Sequence, residues 1–229
     1  MPRIISAAAS RKGLRHTVLP PLRDRIEPGV EVLFVGINPG VRSALTGHHF
    51  AGFSNRFWKL LYESRLVPER ITFSDDGRLP EWGFGITNIV RRATPGIDTL
   101  LPHEYAGGRT RLLAKVRRFH PKVVALVGVT VFRAMFPGHK GPVALGRQAQ
   151  TLGESAVFVL PNTSGRNANF TYAEMLAAFK SLRRWVCRAP LYGAPPGTLS
   201  ERGARLPPSA PRSPRSADGV PRRSRSRAR

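Results

Sequence analysis

Cysteine is nearly absent: Cys187 is the only one in 229 residues. A lone thiol excludes an internal disulfide framework, a cysteine-based zinc site and an iron–sulfur cluster held by four cysteines, and it fits a reducing compartment. Acidic residues are scarce as well, 14 Asp and Glu against 37 Lys and Arg, for a net charge of +23. That imbalance favours a polyanionic partner, nucleic acid ahead of a membrane surface. No apolar run reaches the roughly 18 to 20 residues a membrane helix needs, and the start, MPRIISAAASRKGLRHTV, has no uninterrupted apolar stretch of signal-peptide type. A soluble protein is expected, with an acid-free start that reads as a basic arm or as an organellar transit segment.

The familiar hydrolase and nucleotide motifs are missing too. There is no Gly-x-Ser-x-Gly elbow, Walker A loop, Gly-x-Gly-x-x-Gly or His-Glu-x-x-His. His48 and His49 are adjacent but have no third ligand at useful spacing, so neither a metal nor a cofactor is expected.

What is present divides the chain in three. Residues 1–23 hold five basic and no acidic side chains, and 188–229 hold ten basic and two acidic, which leaves +10 on 24–187. The tail is rich in Pro, Ser, Arg and Gly and poor in large apolar residues, so it is expected to stay disordered, as a phosphate tether or a solubilising extension. The central stretch alternates apolar runs of strand length with segments of helical period, the pattern of a parallel sheet with crossover helices. Strands are read at 31–37, 83–90, 122–128 and 155–161, and their near-continuous apolar character suits strands covered on both faces. Helices are read at about 54–66, 103–119, 129–136 and 171–186, the last opening with a Thr171/Glu174 capping box. The fold class is therefore α/β, a three-layer α/β/α arrangement around a mainly parallel four-stranded sheet.

Ligands of open α/β sheets bind beyond the carboxyl ends of the strands. Three of the four loops there carry unusual polar residues: NPGVRSALTGHHF, RRATPG and NTSGRNANF. The first puts Asn38, Pro39 and Gly40 near His48, His49 and Phe50. A planar nucleobase needs an apolar face to stack on, backbone donors for its carbonyl oxygens, and a positioned water if its bond to sugar is to be hydrolysed. The same residues also suit a simple Asn-Pro-Gly turn with Phe50 plugging the core. In the last loop, small residues and amides precede a helix, and Arg166 at the tip is long enough to fill the hole left by an extruded nucleotide; an ordinary polar loop with a solvated Arg has the same composition.

Together, GINPG (36–40), GHHFAGFSNRFWKLL (47–61), GFGITNIVRRATPG (83–96), YAGGRTRLLAKVRRFHPKVVALVG (105–128) and LPNTSGRNANF (160–170) resemble the mismatch-specific uracil and thymine DNA glycosylases, a branch of the uracil-DNA glycosylase superfamily. The resemblance implies that Asn38 holds the attacking water and that Phe50 stacks on the flipped base. It implies that the backbone amides of Ile37 and Phe50 contact the base carbonyls, and that Gly40, His49, Asn88 and Thr94 surround the base. Asn162, Ser164, Gly165, Arg166 and Asn167 fall in the stretch matching the intercalation loop. Thr163 and Arg166 depart from the Asn-Pro-Ser-Gly-Leu of the bacterial mismatch uracil enzymes and look more like the animal thymine glycosylases.

The implied partner is double-stranded DNA carrying G·U or G·T mispairs, with abasic-site repair enzymes downstream and a monomeric enzyme. The implied compartment is the nucleoid in a bacterium, and the nucleus or an organelle in a eukaryote. Two other readings fit the composition: a superfamily glycosylase for hypoxanthine or single-stranded uracil, and a catalytically silent nucleic-acid-binding domain.

Overall fold

Strand formation follows from runs that have nothing polar to expose. In the computed structural model, which describes residues 19–188, β1 (Val32–Gly36) and β3 (Val123–Val127) are buried along their whole length. They pair in parallel, and β2 (Phe84–Asn88) and β5 (Ser155–Leu160) extend the parallel sheet on either side. A fifth strand, β4 (Gly146–Leu152), pairs antiparallel with β5 and gives the order β2-β1-β3-β5-β4. The sheet therefore has five strands where the sequence reading expected four. Its sequence, GRQAQTL, hid the extra strand: β4 is an edge, exposing every second side chain, and so lacks the apolar continuity of the others. The outer parts of the expected basic arm (to residue 18) and of the tail (189–229) lie outside the described residues.

The two faces of the sheet bury different partners. On one, Phe34, Ile86, Ala125 and Phe158 pack against α2 (Phe57–Glu63) and α5 (Tyr172–Arg188). On the other, Val35, Leu126 and Val159 pack against α3 (Pro102–Phe119) and α4 (Val129–Met135). A short helix, α1 (Val41–Thr46), follows β1, and 3₁₀ turns cover Phe73–Trp82 and Ile97–Thr99. The α5 capping box forms as read: Glu174 Oε2 accepts from the Thr171 N–H at 2.7 Å and from its hydroxyl at 2.8 Å. No helix among the described residues is long and apolar enough to cross a membrane.

This topology decides where a ligand goes. The chain leaves β1 toward β2 on one side and returns through α3 to β3 on the other, so the strand order reverses at β1/β3. The helices following these two strands lie on opposite faces, and a crevice opens between their carboxyl ends.

Phe34, on the sheet face covered by α2 and α5, is fully buried, with edge-on contacts to Phe57 at 5.3 Å and Phe84 at 5.6 Å. Phe34→Ala is expected to lower unfolding free energy by about 3–5 kcal/mol, read by denaturant titration; a loss below ~1 kcal/mol would mean that the core collapses to fill the gap.

Candidate active site

A cavity of about 590 Å3 occupies the crevice. Its lining draws on all four loops at the carboxyl edge: Ile37–Gly40 after β1, Asn88 and Thr94 from β2 and beyond, Gly128 after β3, and Asn162, Ser164 and Arg166 after β5. Gly128 is the contribution the sequence reading passed over, since the loop after β3 is short and carries no polar side chain of note.

Asn38 is held by one half of its amide. Nδ2 donates to the Thr94 hydroxyl at 2.7 Å, to Pro39 O at 3.1 Å and to Arg92 O at 3.2 Å. Thr94 is itself buried, donates its hydroxyl to Gly96 O, and hydrogen-bonds through its N–H to Pro39 O at 3.1 Å. With the nitrogen facing three acceptors, the orientation of the amide is set: Oδ1 faces the other way. No described residue donates to it, and it is not among the atoms buried without a partner, so it remains an open acceptor at the cavity.

Phe50 provides a flat wall. Its ring stacks on Phe57 at 4.2 Å and 21°, and Phe57 is fully buried, which leaves the other face of Phe50 toward the cavity. The backbone at Phe50 is left-handed, φ 50°, an uncommon conformation for a residue with a side chain. The preceding residue holds it there. The His49 N–H donates to Asp76 Oδ2 at 2.9 Å, and Trp58 Nε1 donates to His49 O at 3.2 Å. Among the described residues, neither the Ile37 nor the Phe50 N–H has an acceptor, and both belong to residues lining the cavity.

His49 is a buried link that sets the direction of Asn88. Nε2 lies 3.1 Å from Arg23 O, a pure acceptor, so Nε2 carries the proton and Nδ1 accepts from Asn88 Nδ2 at 3.3 Å. Asn88 Oδ1 is then left to face Gly36, and a Cβ on Gly36 would collide with it and touch the Phe50 ring. Only glycine lets the strand end this close beneath the pocket.

The last loop is tied to the first. Asn55 Oδ1 accepts from the Phe57 N–H at 3.0 Å, capping α2, and from the Thr163 hydroxyl at 2.9 Å. The Arg56 N–H donates to Thr163 O at 2.9 Å. Gly165 lies flat on Ser54, where a Cβ would clash with both the hydroxyl and the carbonyl. Within the loop, Asn162 Oδ1 accepts the Ser164 N–H at 3.0 Å, and Asn167 Nδ2 donates to Asn162 O at 2.7 Å. Arg166 reaches across the cavity mouth to Pro95 O at 2.8 Å. Of the residues named from sequence for the base pocket, all but His49 line this cavity, and His49 stands behind Asn88; of those named in the last loop, Asn162, Ser164 and Arg166 line it, while Gly165 and Asn167 do not. The reading missed Asp76 and Asn55, which together with the buried Trp58 hold the walls in place. Thr72 and Asp75 form a capping box in the structure, but nothing in the sequence marks the neighbouring Asp76 as fully buried.

An aromatic wall, unpaired backbone donors and an oriented amide meet at the switch point of an α/β fold, and their chemistry suits a flat polar ligand at the carboxyl edge of the sheet. Residues 24–183 match the model of the Uracil DNA glycosylase superfamily; the chain belongs to that superfamily. It is accordingly a DNA glycosylase, a hydrolase of DNA repair whose partner is DNA. Its fold is similar to the solution NMR structure of a candidate uracil DNA glycosylase from Methanosarcina acetivorans, at 14% identity and TM-score 0.45, covering 72% of this chain and 99% of that one.

Burial holds the pKa of His49 below its ordinary value near 6.5. A histidine kept neutral by the fold contributes stability that is full above the unfolded pKa and is lost as pH falls through the lowered folded value. Denaturant titrations from pH 7.5 down to 5 are expected to show wild type losing more stability than His49→Gln; parallel curves would mean that another group carries the acid limb.

Proposed function

We propose that the protein excises uracil, and with lower efficiency thymine and other 5-substituted pyrimidines, mispaired with guanine in duplex DNA. The carrying observation is the geometry of Asn38: an uncharged side chain with its nitrogen anchored and its oxygen open, beside a cavity walled by Phe50. Roles follow by chemistry. The extruded base stacks on the free face of Phe50, its carbonyl oxygens accept the unpaired N–H groups of Ile37 and Phe50, and its imide N–H donates to Asn88 Oδ1. Gly40 keeps the turn after Asn38 free of side-chain bulk.

Cleavage breaks the C1′–N1 bond, and the electron pair leaves with the base. The donors on its oxygens stabilise that charge, and the sugar passes through an oxocarbenium-like state. Water held by Asn38 Oδ1 adds to C1′, and its proton passes to solvent or the departing base, leaving an abasic sugar and the free pyrimidine. An amide orients the water but cannot take its proton, and general-base assistance is typically worth about 10²–10⁴-fold. The enzyme is therefore slow and depends on pairs that open easily, because a mismatch lowers the cost of extrusion by a few kcal/mol. On DNA, Arg166 would exchange the Pro95 carbonyl for the gap in the duplex, with Asn162, Ser164, Gly165 and Asn167 shaping the loop that carries it. A cavity of about 590 Å3 is roomier than uracil needs, which favours tolerance of 5-substituents.

Wild type is expected to convert a G·U duplex to alkali-labile abasic sites. Asn38→Ala should lower the single-turnover rate by about 10²-fold or more, far more than it lowers affinity; an affinity loss as large as the rate loss would mean that tying the two loops together is its main role. On the same duplex frame, 5-fluorouracil should be released faster than thymine, because its electron-withdrawing substituent improves the leaving group. Equal rates would mean that base departure is not the slow step.

A further inference from the structure

A second cavity, of about 600 Å3, lies against the first and shares Arg42, Phe50, Gly52, Phe53 and Asn55 with it. Its far side is built by α2 and the chain at 70–73, chiefly Trp58, Lys59, Tyr62, Arg70 and Phe73. Three cations there face one carboxylate, Glu63, which already pairs with Lys59 at 3.6 Å and accepts the Tyr172 hydroxyl at 2.7 Å.

Arg42 and Arg70 have no carboxylate partner among the described residues, and Arg42 Nε is buried without a hydrogen bond. The Arg42 guanidinium lies 3.5 Å from the centre of the Phe53 ring and 5.5 Å from that of Phe73, and that of Arg70 lies 5.3 Å from Tyr62. Phe53 is 91% exposed, more than any other large apolar side chain of the described residues. Folding alone gives no reason to hold an aromatic ring in water. Aromatic faces for bases, with unpaired guanidinium edges for phosphate, are what a strand of nucleic acid uses.

We propose that the second cavity binds the nucleotide adjacent to the extruded one: its phosphate takes Arg42 and Arg70, drawing the Arg42 guanidinium away from Phe53 and Phe73, and its base takes the vacated place between the two rings. This rests on the glycosylase reading above. The shared wall makes the two sites consecutive along one strand, so two neighbouring nucleotides leave the stack together. Identity of that neighbour then influences which mispairs are bound.

The test uses full-length protein and a duplex carrying guanine opposite 2′-fluoro-2′-deoxyuridine, whose fluorine disfavours the sugar cation and keeps the glycosidic bond intact. Affinity is measured with each flanking base present, and again with it replaced by a tetrahydrofuran spacer, for wild type and for Phe73→Leu, which retains apolar bulk. Comparing the two proteins cancels the effect of the spacer on the duplex itself. At one of the two neighbours, the base-to-spacer preference is expected to be about tenfold larger in wild type than in Phe73→Leu. Arg70→Ala, at an exposed position, should reduce the slope of log affinity against log salt by about one. Equal preferences in the two proteins at both neighbours, or an unchanged salt slope in Arg70→Ala, would overturn the proposal. A parallel reaction with ordinary deoxyuridine separates the two failures: abasic sites with unchanged preferences sink only the second cavity, whereas no abasic sites sink the glycosylase reading itself.

Discussion

The Asn38 amide joins the two loops on which the site depends. By donating to Thr94, Pro39 O and Arg92 O, it fastens the exit of β1 to the segment after β2, and these segments form two sides of the cavity. The same three bonds determine which atom is left for chemistry. Had the nitrogen been free and the oxygen bound, the residue would present donors to the pocket and would suit a carbonyl better than a water. The fold thus turns a symmetric-looking side chain into a directed acceptor without using charge.

A second constraint, Asp76, sets the opposite wall. Its carboxylate is completely buried and receives Arg25 Nε at 3.0 Å and the His49 N–H at 2.9 Å, with His48 Nδ1 also 3.0 Å away. A buried carboxylate holds its place only when its lone pairs are met by donors of this quality. Through His49 it fixes two things at once: the left-handed turn at Phe50, and the imidazole that directs Asn88. Adjacent histidines that suggest a metal at first sight are used instead as one hydrogen-bond partner of Asp76 and one link to Asn88.

The sheet and its ligand edge were legible because β1 and β3 are wholly apolar and β2 and β5 nearly so, and because their loops carry amides, Gly and an Arg where a core needs none. The pocket residues were legible only as motifs. Nothing in the string NPG tells which atom of Asn38 faces inward, since that depends on Thr94, 56 positions away. Long-range supports such as Asp76 and the Asn55–Thr163 bond have no local pattern at all. β4 escaped for the opposite reason: its polar alternation is an edge strand's normal signature, but its Gln and Arg side chains diluted it. The second cavity was equally invisible, because nothing local to Phe53 or Phe73 tells that the fold leaves Phe53 in water.

In the proposed mechanism the site hydrolyses its substrate with uncharged groups, the water being oriented rather than deprotonated. The most direct measurement is the single-turnover rate on a G·U duplex as a function of pH between 6.5 and 8.5. Asn38, Asn88, Thr94 and the backbone donors do not titrate there, and burial keeps His49 neutral above its ordinary value, so the rate is predicted to be flat. A rate that climbs about tenfold per pH unit toward a plateau would reveal a titrating general base and contradict that mechanism.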